Sequence, residues 1–413
     1  MTGAAQGRGA PAGRNVQLRR LSVLIAASCI DMLGFAMVLP LIPFYALRLQ
    51  ASPEVIGGII ASFSVAQLLS APLWGWVSDH YGRRPALLAG LLASAVAYAV
   101  FGFADAVWLL FASRVIQGAG GGTTGVAQAY VADTVAPGDR ARALGWLSSG
   151  TAIGFMLGPV IGSAAAYWGQ AAPGIVASAL CLLNVAFAWK WLPESRPPRA
   201  AGEAPPVRRP VWHWALQVVR HPEGPVTRLI WIYAAGMLGF TAMTAVLALY
   251  LGHTFGFTEK TIGYVFLYLA TLSLVMRSLL LGPIVNRIGE PGAMRTGTVL
   301  LTLGLLLMPL AGSLWIFGVA MALVPIGTAL LFPATTALMS HASEPQEVGL
   351  TLGVAQIFAG LSRVIAPLIA TSAFQRLGPA APFVLAGLVV ALVGVLAFRL
   401  TVDAHALRQE GPA

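Results

Sequence analysis

The chain has 413 residues, 57% of them apolar and only 10% charged, with a mean hydropathy of +0.78. Soluble globular proteins carry roughly 25% charged residues, so this composition argues against a soluble enzyme, a nucleic-acid binder or a disordered regulator. The net charge of +10 resembles a nucleic-acid signal until its sources are located: 23 of the 25 basic residues are Arg, and most lie in short connections between apolar runs.

Cys29 and Cys181 both sit inside apolar runs and offer neither a disulfide framework nor metal-ligand spacing. The first twenty residues are polar, basic and Gly/Ala-rich. The apolar run after them is too long for a signal-peptide core, so no cleavable leader is expected.

About twenty mostly apolar residues cross the hydrocarbon core as a helix. On that measure twelve spans are expected. Six start near Leu21, Val55, Ala86, Ala106, Ala143 and Ala172, and six near Thr227, Glu259, Ala293, Leu314, Glu347 and Ala380. The expected organisation is a tail over 1–20, a six-helix bundle over 21–192, a linker over 193–226, a second bundle over 227–400 and a tail over 401–413. With the N-terminus inside, 19 Lys/Arg fall on inside segments and three (Arg48, Lys260 and Arg376) outside. The positive-inside bias therefore puts both termini in the cytoplasm. Arg114, Arg277 and Arg363 remain within spans. The Pro- and Arg-rich stretch Pro193–Pro225 reads as a tether, with Val211–Val219 a short amphipathic helix anchored by Trp212 and Trp214.

The two halves echo each other. Met32-Leu33-Gly34-Phe35 returns as Met237-Leu238-Gly239-Phe240, and Ile56-Gly57 as Ile262-Gly263. Gly75-x-x-x-Asp79-His80-x-Gly82 returns as Gly282-x-x-x-Asn286-Arg287-x-Gly289, and Gly158-Pro159 as Ala366-Pro367. Four matches in the same order at nearly one offset indicate a duplicated six-helix unit. The buried charge is not duplicated: Asp31 corresponds to Gly236, and Arg114 falls near Met321.

Four motifs carry the mechanism. In Gly75-Trp-Val-Ser-Asp79-His80-Tyr-Gly82-Arg83-Arg84 the glycines permit a tight turn, and Asp79 can sit at a neighbouring helix N-terminus, where a carboxylate is favoured. Arg114-Val-Ile-Gln117-Gly118-Ala-Gly120 places a guanidinium amid apolar residues, which is expensive unless it faces a cavity or a partner. Gly150, Gly154, Gly158 and Gly162, with Pro159, make one smooth helix face on which another helix can slide or rock. Asp31-x-x-Gly34-x-x-x-x-x-Pro40-x-x-Pro43 holds the one acid read near mid-membrane. Asp31 lies about ten residues, or ~15 Å, from the inner end of its helix, and Arg114 at a similar depth, so the two can meet. A carboxylate whose Arg contact changes can gain or lose a proton; the alternative is a permanently ionised structural pair.

These motifs resemble those of the major facilitator superfamily over essentially the whole chain, and within it the twelve-helix drug:proton antiporters. The resemblance implies an all-α integral membrane protein of twelve transmembrane helices in two six-helix pseudo-repeats. It implies that the Gly75–Arg84 cluster gates the conformational change with Asp133 as a partner, that Arg114 serves proton coupling, and that the Gly150–Gly162 face belongs to antiporters. Tyr130-Val-Ala-Asp133, Asp139-Arg140-Ala-Arg142, Leu192-Pro193-Glu194-Ser195 and Thr261-Ile262-Gly263 are similar to segments of tetracycline exporters. The chain departs from them where Ala97 precedes Tyr98, where Leu272 stands for a helix-eight His, and in lacking an acid over Ala293–Ala311.

Gln67, Gln128, Tyr233, Tyr268, Arg277, Gln356, Phe358 and Arg363 are candidates for the substrate cavity, since aromatic and amide groups suit amphiphilic ligands. The expected function is proton-coupled export of drugs or amphiphilic small molecules, tetracycline-like or multidrug, from a bacterial inner membrane. The alternative is a proton symporter or uniporter for a small anionic or zwitterionic metabolite, favoured by three intramembrane Arg against one Asp. The expected partners are substrate, protons and lipid bilayer, without enzyme chemistry, cofactor, metal or nucleic acid; the family implies a monomer.

Overall fold

Apolar runs become helices here because a bilayer offers no water to satisfy backbone N–H and C=O groups, and a helix satisfies them internally. A computed structural model of the chain describes residues 11–195, 211–221, 224–344 and 347–399. Its helices are α1 (Pro11–Val38), α2 (Ile42–Arg48), α3 (Pro53–His80), α4 (Arg83–Gly102), α5 (Val107–Gly120), α6 (Thr123–Thr134), α7 (Arg140–Ala165) and α8 (Ala172–Trp191). There follow α9 (Val211–Arg220), α10 (Pro225–Phe255), α11 (Ile262–Val275), α12 (Leu281–Leu307), α13 (Leu314–Ala342), α14 (Val348–Leu377) and α15 (Ala381–Arg399). No strand occurs among the described residues. Much of the expected linker and tails lies outside the described residues, as does the Trp212 side chain; Trp214 of α9 is exposed.

Among the described residues ten helices are long and apolar enough to cross a membrane. Two local features separate this from the twelve expected spans. The fourth is broken into α5 and α6 at Gly121–Gly122. The eighth and ninth run together over Ile262–Leu310, kinked at Gly289 (φ 71°, ψ 169°). A π-helical turn, Met276–Leu280, joins α11 to α12.

The chain gathers into two compact units: Met1–Leu39 with Val65–Ala204, and Pro40–Ser64 with Pro205–Ala413. Residues 40–64, which the sequence boundaries group with the first bundle, thus pack with the second unit. The reasons are local. Gly57 lies so close to the Thr371 side chain that a Cβ would collide with it, Arg48 pairs with Glu259, and Arg376 pairs with Glu54 at 2.6 Å.

Inside the first unit α1 packs on α7 and α8, and α4 on α5 and α8. Inside the second, α10 packs on α14 and α15, and α12 on α13 and α15. This is the same plan twice, as the sequence repeat requires. Its anchors are also repeated: Gly82 and Gly289 both adopt positive φ, at 99° and 71°, as do Gly169 and Gly378 after α7 and α14, at 121° and 97°. L-residues avoid this region, so both turns are written by glycine.

Candidate functional site

The glycine face of α7 works as its spacing implies. A Cβ at Gly150 would meet the Ile25 side chain; at Gly154, Gly158 and Gly162 it would meet the carbonyl oxygens of Cys29, Leu33 and Met37. The four glycines let the α1 and α7 backbones touch, and Pro159 lies buried within the same stretch. In this conformation the contact sets the height and rotation of α1, and with them the position of Asp31.

The Asp31 carboxylate accepts a hydrogen bond from the Thr123 hydroxyl at 2.9 Å. It lines a small cavity of the first unit together with Ser28, Met32, Leu91, Thr123 and Thr151. The cavity measures about 30 Å³, room for about one water. A hydroxyl both donates and accepts, so Thr123 can serve the carboxylate and the protonated acid alike.

Arg114 is 1% exposed, yet it does not form the expected direct pair with Asp31. Its Nε approaches the Ser113 hydroxyl at 3.5 Å, its guanidinium lies 5.7 Å from the centre of the Phe101 ring, and one terminal nitrogen is buried without a partner among the described residues. Equal depth sets only the height of two side chains. Helix α5 packs on α4, whereas α1 packs chiefly on α7 and α8, so Arg114 and Asp31 are held by different neighbours. Tyr98 of α4, fully buried, stands within electrostatic reach of both charges, and its hydroxyl accepts a hydrogen bond from Gln117. Sequence reading gave no role to Tyr98 or Thr123. The signal was a cluster of polar residues inside apolar runs, but nothing in the spacing ties them to Asp31.

At the α3–α4 turn, Arg83 is the hub. Its Nε donates to Asp133 at 2.9 Å, and one terminal nitrogen donates to Asp79 at 2.8 Å and to the Ser78 hydroxyl at 2.7 Å. The partner of Asp133 is thus Arg83, which Asp79 shares. The carboxylate at the N-terminus of α4 is Glu194: it accepts from the backbone N–H groups of Arg83 at 2.8 Å and Arg84 at 3.0 Å. There it meets the positive end of the helix dipole and satisfies two otherwise orphaned donors. Gly82 is required twice over, by its φ of 99° and because a Cβ would run into Glu194. Arg84 also donates to the Trp189 carbonyl, and Gly75 offers its carbonyl to Ser78 at 3.2 Å.

Of the amide candidates in this unit, Gln67 donates to the Gly121 carbonyl at 3.3 Å, at the break between α5 and α6. Gln128 is exposed. Neither lines the Asp31 cavity.

In the second unit Tyr233 gathers three candidates. Its hydroxyl accepts from the Gln356 amide at 3.4 Å, and both Arg277 and Arg363 lie within electrostatic reach of it. Its ring packs on Phe332 at 5.1 Å. Phe358 packs instead on Trp231, ring to ring at 5.3 Å, and the exposed Tyr268 donates to the Gly318 carbonyl at 3.2 Å.

The family model of the Major Facilitator Superfamily matches residues 24–291 and 229–412. The chain is 27% identical over 361 residues to the class C tetracycline resistance protein of Escherichia coli, covering 86% of this chain and 89% of that one. It is 27% identical over 387 residues to multidrug resistance protein 2 of Bacillus subtilis, covering 92% and 94%. The crystal structure of the human organic anion transporter MFSD10 superposes with a TM-score of 0.66 at 23% identity, over 92% of this chain and 99% of that one. A bacterial homologue of the human lysosomal transporter Spinster superposes with a TM-score of 0.73 at 15% identity, over 95% and 97%. A helical fold built twice, apolar enough to cross a membrane many times and matched by a family model over both halves, identifies the chain as a multi-pass membrane transporter, not an enzyme, that belongs to the Major Facilitator Superfamily.

Proposed function

We propose that the protein is a proton-coupled secondary transporter that exports drugs or other amphiphilic small molecules by alternating access. In this reading the two helical segments of the fourth span act as one, the kinked Ile262–Leu310 stretch crosses twice, and twelve helices leave both termini in the cytoplasm. The 19-to-3 distribution of basic residues supports that orientation. The bacterial relatives named for tetracycline and multidrug resistance support export and a bacterial inner membrane. The protein works as a monomer in the bilayer.

The observation that carries the reading is Asp31. An acid within a membrane span marks a proton or ion pathway by default. This one faces a cavity, has a hydroxyl partner suited to both of its protonation states, and forms no ion pair among the described residues. Asp31 takes the proton, Arg114 and Tyr98 set the field around it, and the glycine face between α1 and α7 lets α1 shift as the proton comes and goes. The Arg83 cluster holds the inner end of α4 and is the contact that must loosen during the cycle.

Inside-out vesicles with an imposed acid-inside ΔpH test this. Tetracycline and other amphiphilic drugs are expected to dissipate the gradient, and Asp31→Asn is expected to abolish that effect while protein remains in the membrane. Full drug-driven proton movement in Asp31→Asn overturns the assignment. A second reading, coupled uptake of a small anionic metabolite, is favoured by Arg277 and Arg363 alone. It predicts proton movement driven by such an anion and none driven by drugs.

A further inference from the structure

Among the described residues, neither Arg277 nor Arg363 makes an ion pair or a hydrogen bond. The described acids of their unit, Glu54, Glu259, Glu290, Glu344 and Glu347, all lie at helix ends, in connections or beside the Gly289 kink. Two guanidinium groups within apolar helices and without a carboxylate are costly unless something else meets them. Their neighbours in the chain bring both toward Tyr233: Ser362, next to Arg363, donates to the carbonyl of Ala234, next to Tyr233, at 3.0 Å, and Met276, next to Arg277, packs on Ala329 and Leu330 of the helix that carries Phe332. That hydroxyl accepts from Gln356, so its own proton is left for another acceptor. Arg277 sits in the π-helical turn Met276–Leu280, and such turns interrupt α-helices frequently at functional sites. Phe332 supplies an aromatic face beside Tyr233.

We propose that Arg277, Arg363 and Tyr233 form an anion site for the carboxylate of an aromatic amphiphile. Both arginines present forked donors that match a carboxylate's two oxygens. The Tyr233 hydroxyl gives a further hydrogen bond, Gln356 orients that hydroxyl, and Phe332 takes the ligand's ring. This inference deepens the transporter reading, on which it rests for its role, and narrows the substrate class to organic anions. The site lies wholly within the second unit, apart from the Asp31 cavity in the first.

Fluorescein, an aromatic carboxylate, and ethidium, an aromatic cation, are the probes. Binding to the purified full-length protein is read by fluorescence polarisation. Fluorescein is expected to bind more tightly than ethidium. Each of Arg277→Gln and Arg363→Gln is expected to weaken fluorescein about 10- to 100-fold, the range of a lost charge-assisted hydrogen bond, and to leave or improve ethidium binding. Tyr233→Phe keeps the ring on Phe332 and removes only the hydroxyl; a smaller, fluorescein-selective loss is expected, and it keeps the test decisive should an Arg variant misfold. Arg363→Lys is expected to restore part of the affinity. Failure of the native protein to bind fluorescein, or equal binding by all these variants, overturns the proposal. Asp31→Asn is expected to retain fluorescein binding. Loss of proton coupling in that variant with arginine-independent fluorescein binding would defeat the anion site alone. Retained coupling with arginine-dependent binding would defeat the proton assignment alone.

Discussion

The two glycine turns of the repeat carry the same backbone and opposite charges. Gly82 and Gly289 both hold positive φ. The residue after Gly82 is Arg83, which clasps Asp133 near the end of α6. The residue after Gly289 is Glu290, which faces His341 near the end of α13 at 3.6 Å. The partners stand at matching places in the repeat with their polarity exchanged. They differ in burial as well. Arg83 is 6% exposed and has three side-chain partners, whereas the His341 side chain is 52% exposed and is charged only when protonated. Duplication preserved the turn because only glycine fits it, and left the charges free to diverge because a turn does not depend on their sign. The same holds deeper in the helices: the first unit sets a hydroxyl beside each of its buried charges, Thr123 at Asp31 and Ser113 at Arg114, and the second carries two intramembrane arginines and no intramembrane acid among its described residues.

Breaking the first turn is expected to cost most. Arg83→Gln leaves the Asp79 and Asp133 carboxylates without their shared cation and is expected to destabilise by roughly 2–4 kcal/mol, at or below the cost of breaking a fully buried pair because the two acids are partly exposed. A large fall in the thermal unfolding temperature of the purified protein would show it; an unchanged temperature would mean that Arg83 is no hub. Next comes the contact between α1 and α7. Gly154→Val drives a side chain into the Cys29 carbonyl and is expected to cost about 1–3 kcal/mol. Gly145→Ala on the same helix meets nothing within 4 Å and is expected to be neutral or to gain about 0.5–1 kcal/mol.

The turns themselves give a finer comparison. Gly82→Ala and Gly289→Ala both incur backbone strain of about 1–3 kcal/mol, since their positive φ with ψ of 162° and 169° lies in a region open essentially to glycine alone. Only the first also displaces Glu194, since at Gly289 a Cβ would find nothing nearer than Pro291 at 3.6 Å. Equal losses would refute the capping role of Glu194. Smallest is Glu290→Gln, expected to cost no more than about 1 kcal/mol because its partner is exposed; a loss matching that of Arg83→Gln would make the two turns energetic equals.

The sequence alone determined the helical, membrane-spanning character, the internal repeat, the packing face of α7 and the turn signature. Each is a statement about periodicity or a residue's own backbone, and both are local. Gly150, Gly154, Gly158 and Gly162 share a face in any α-helix, and a glycine at Gly82 announces a positive φ wherever the helix packs. Only the tertiary structure decided which charges meet. It parted Arg114 from Asp31, made Arg83 rather than Asp79 the centre of its cluster, set Glu194 at the N-terminus of α4 more than a hundred residues away in sequence, and drew Pro40–Ser64 into the second unit. The reason is geometric. Sequence position gives a residue's height along its helix, but its partners depend on how each helix is rotated about its axis and on which neighbours it packs against, and those are fixed by the close packing of all the helices together.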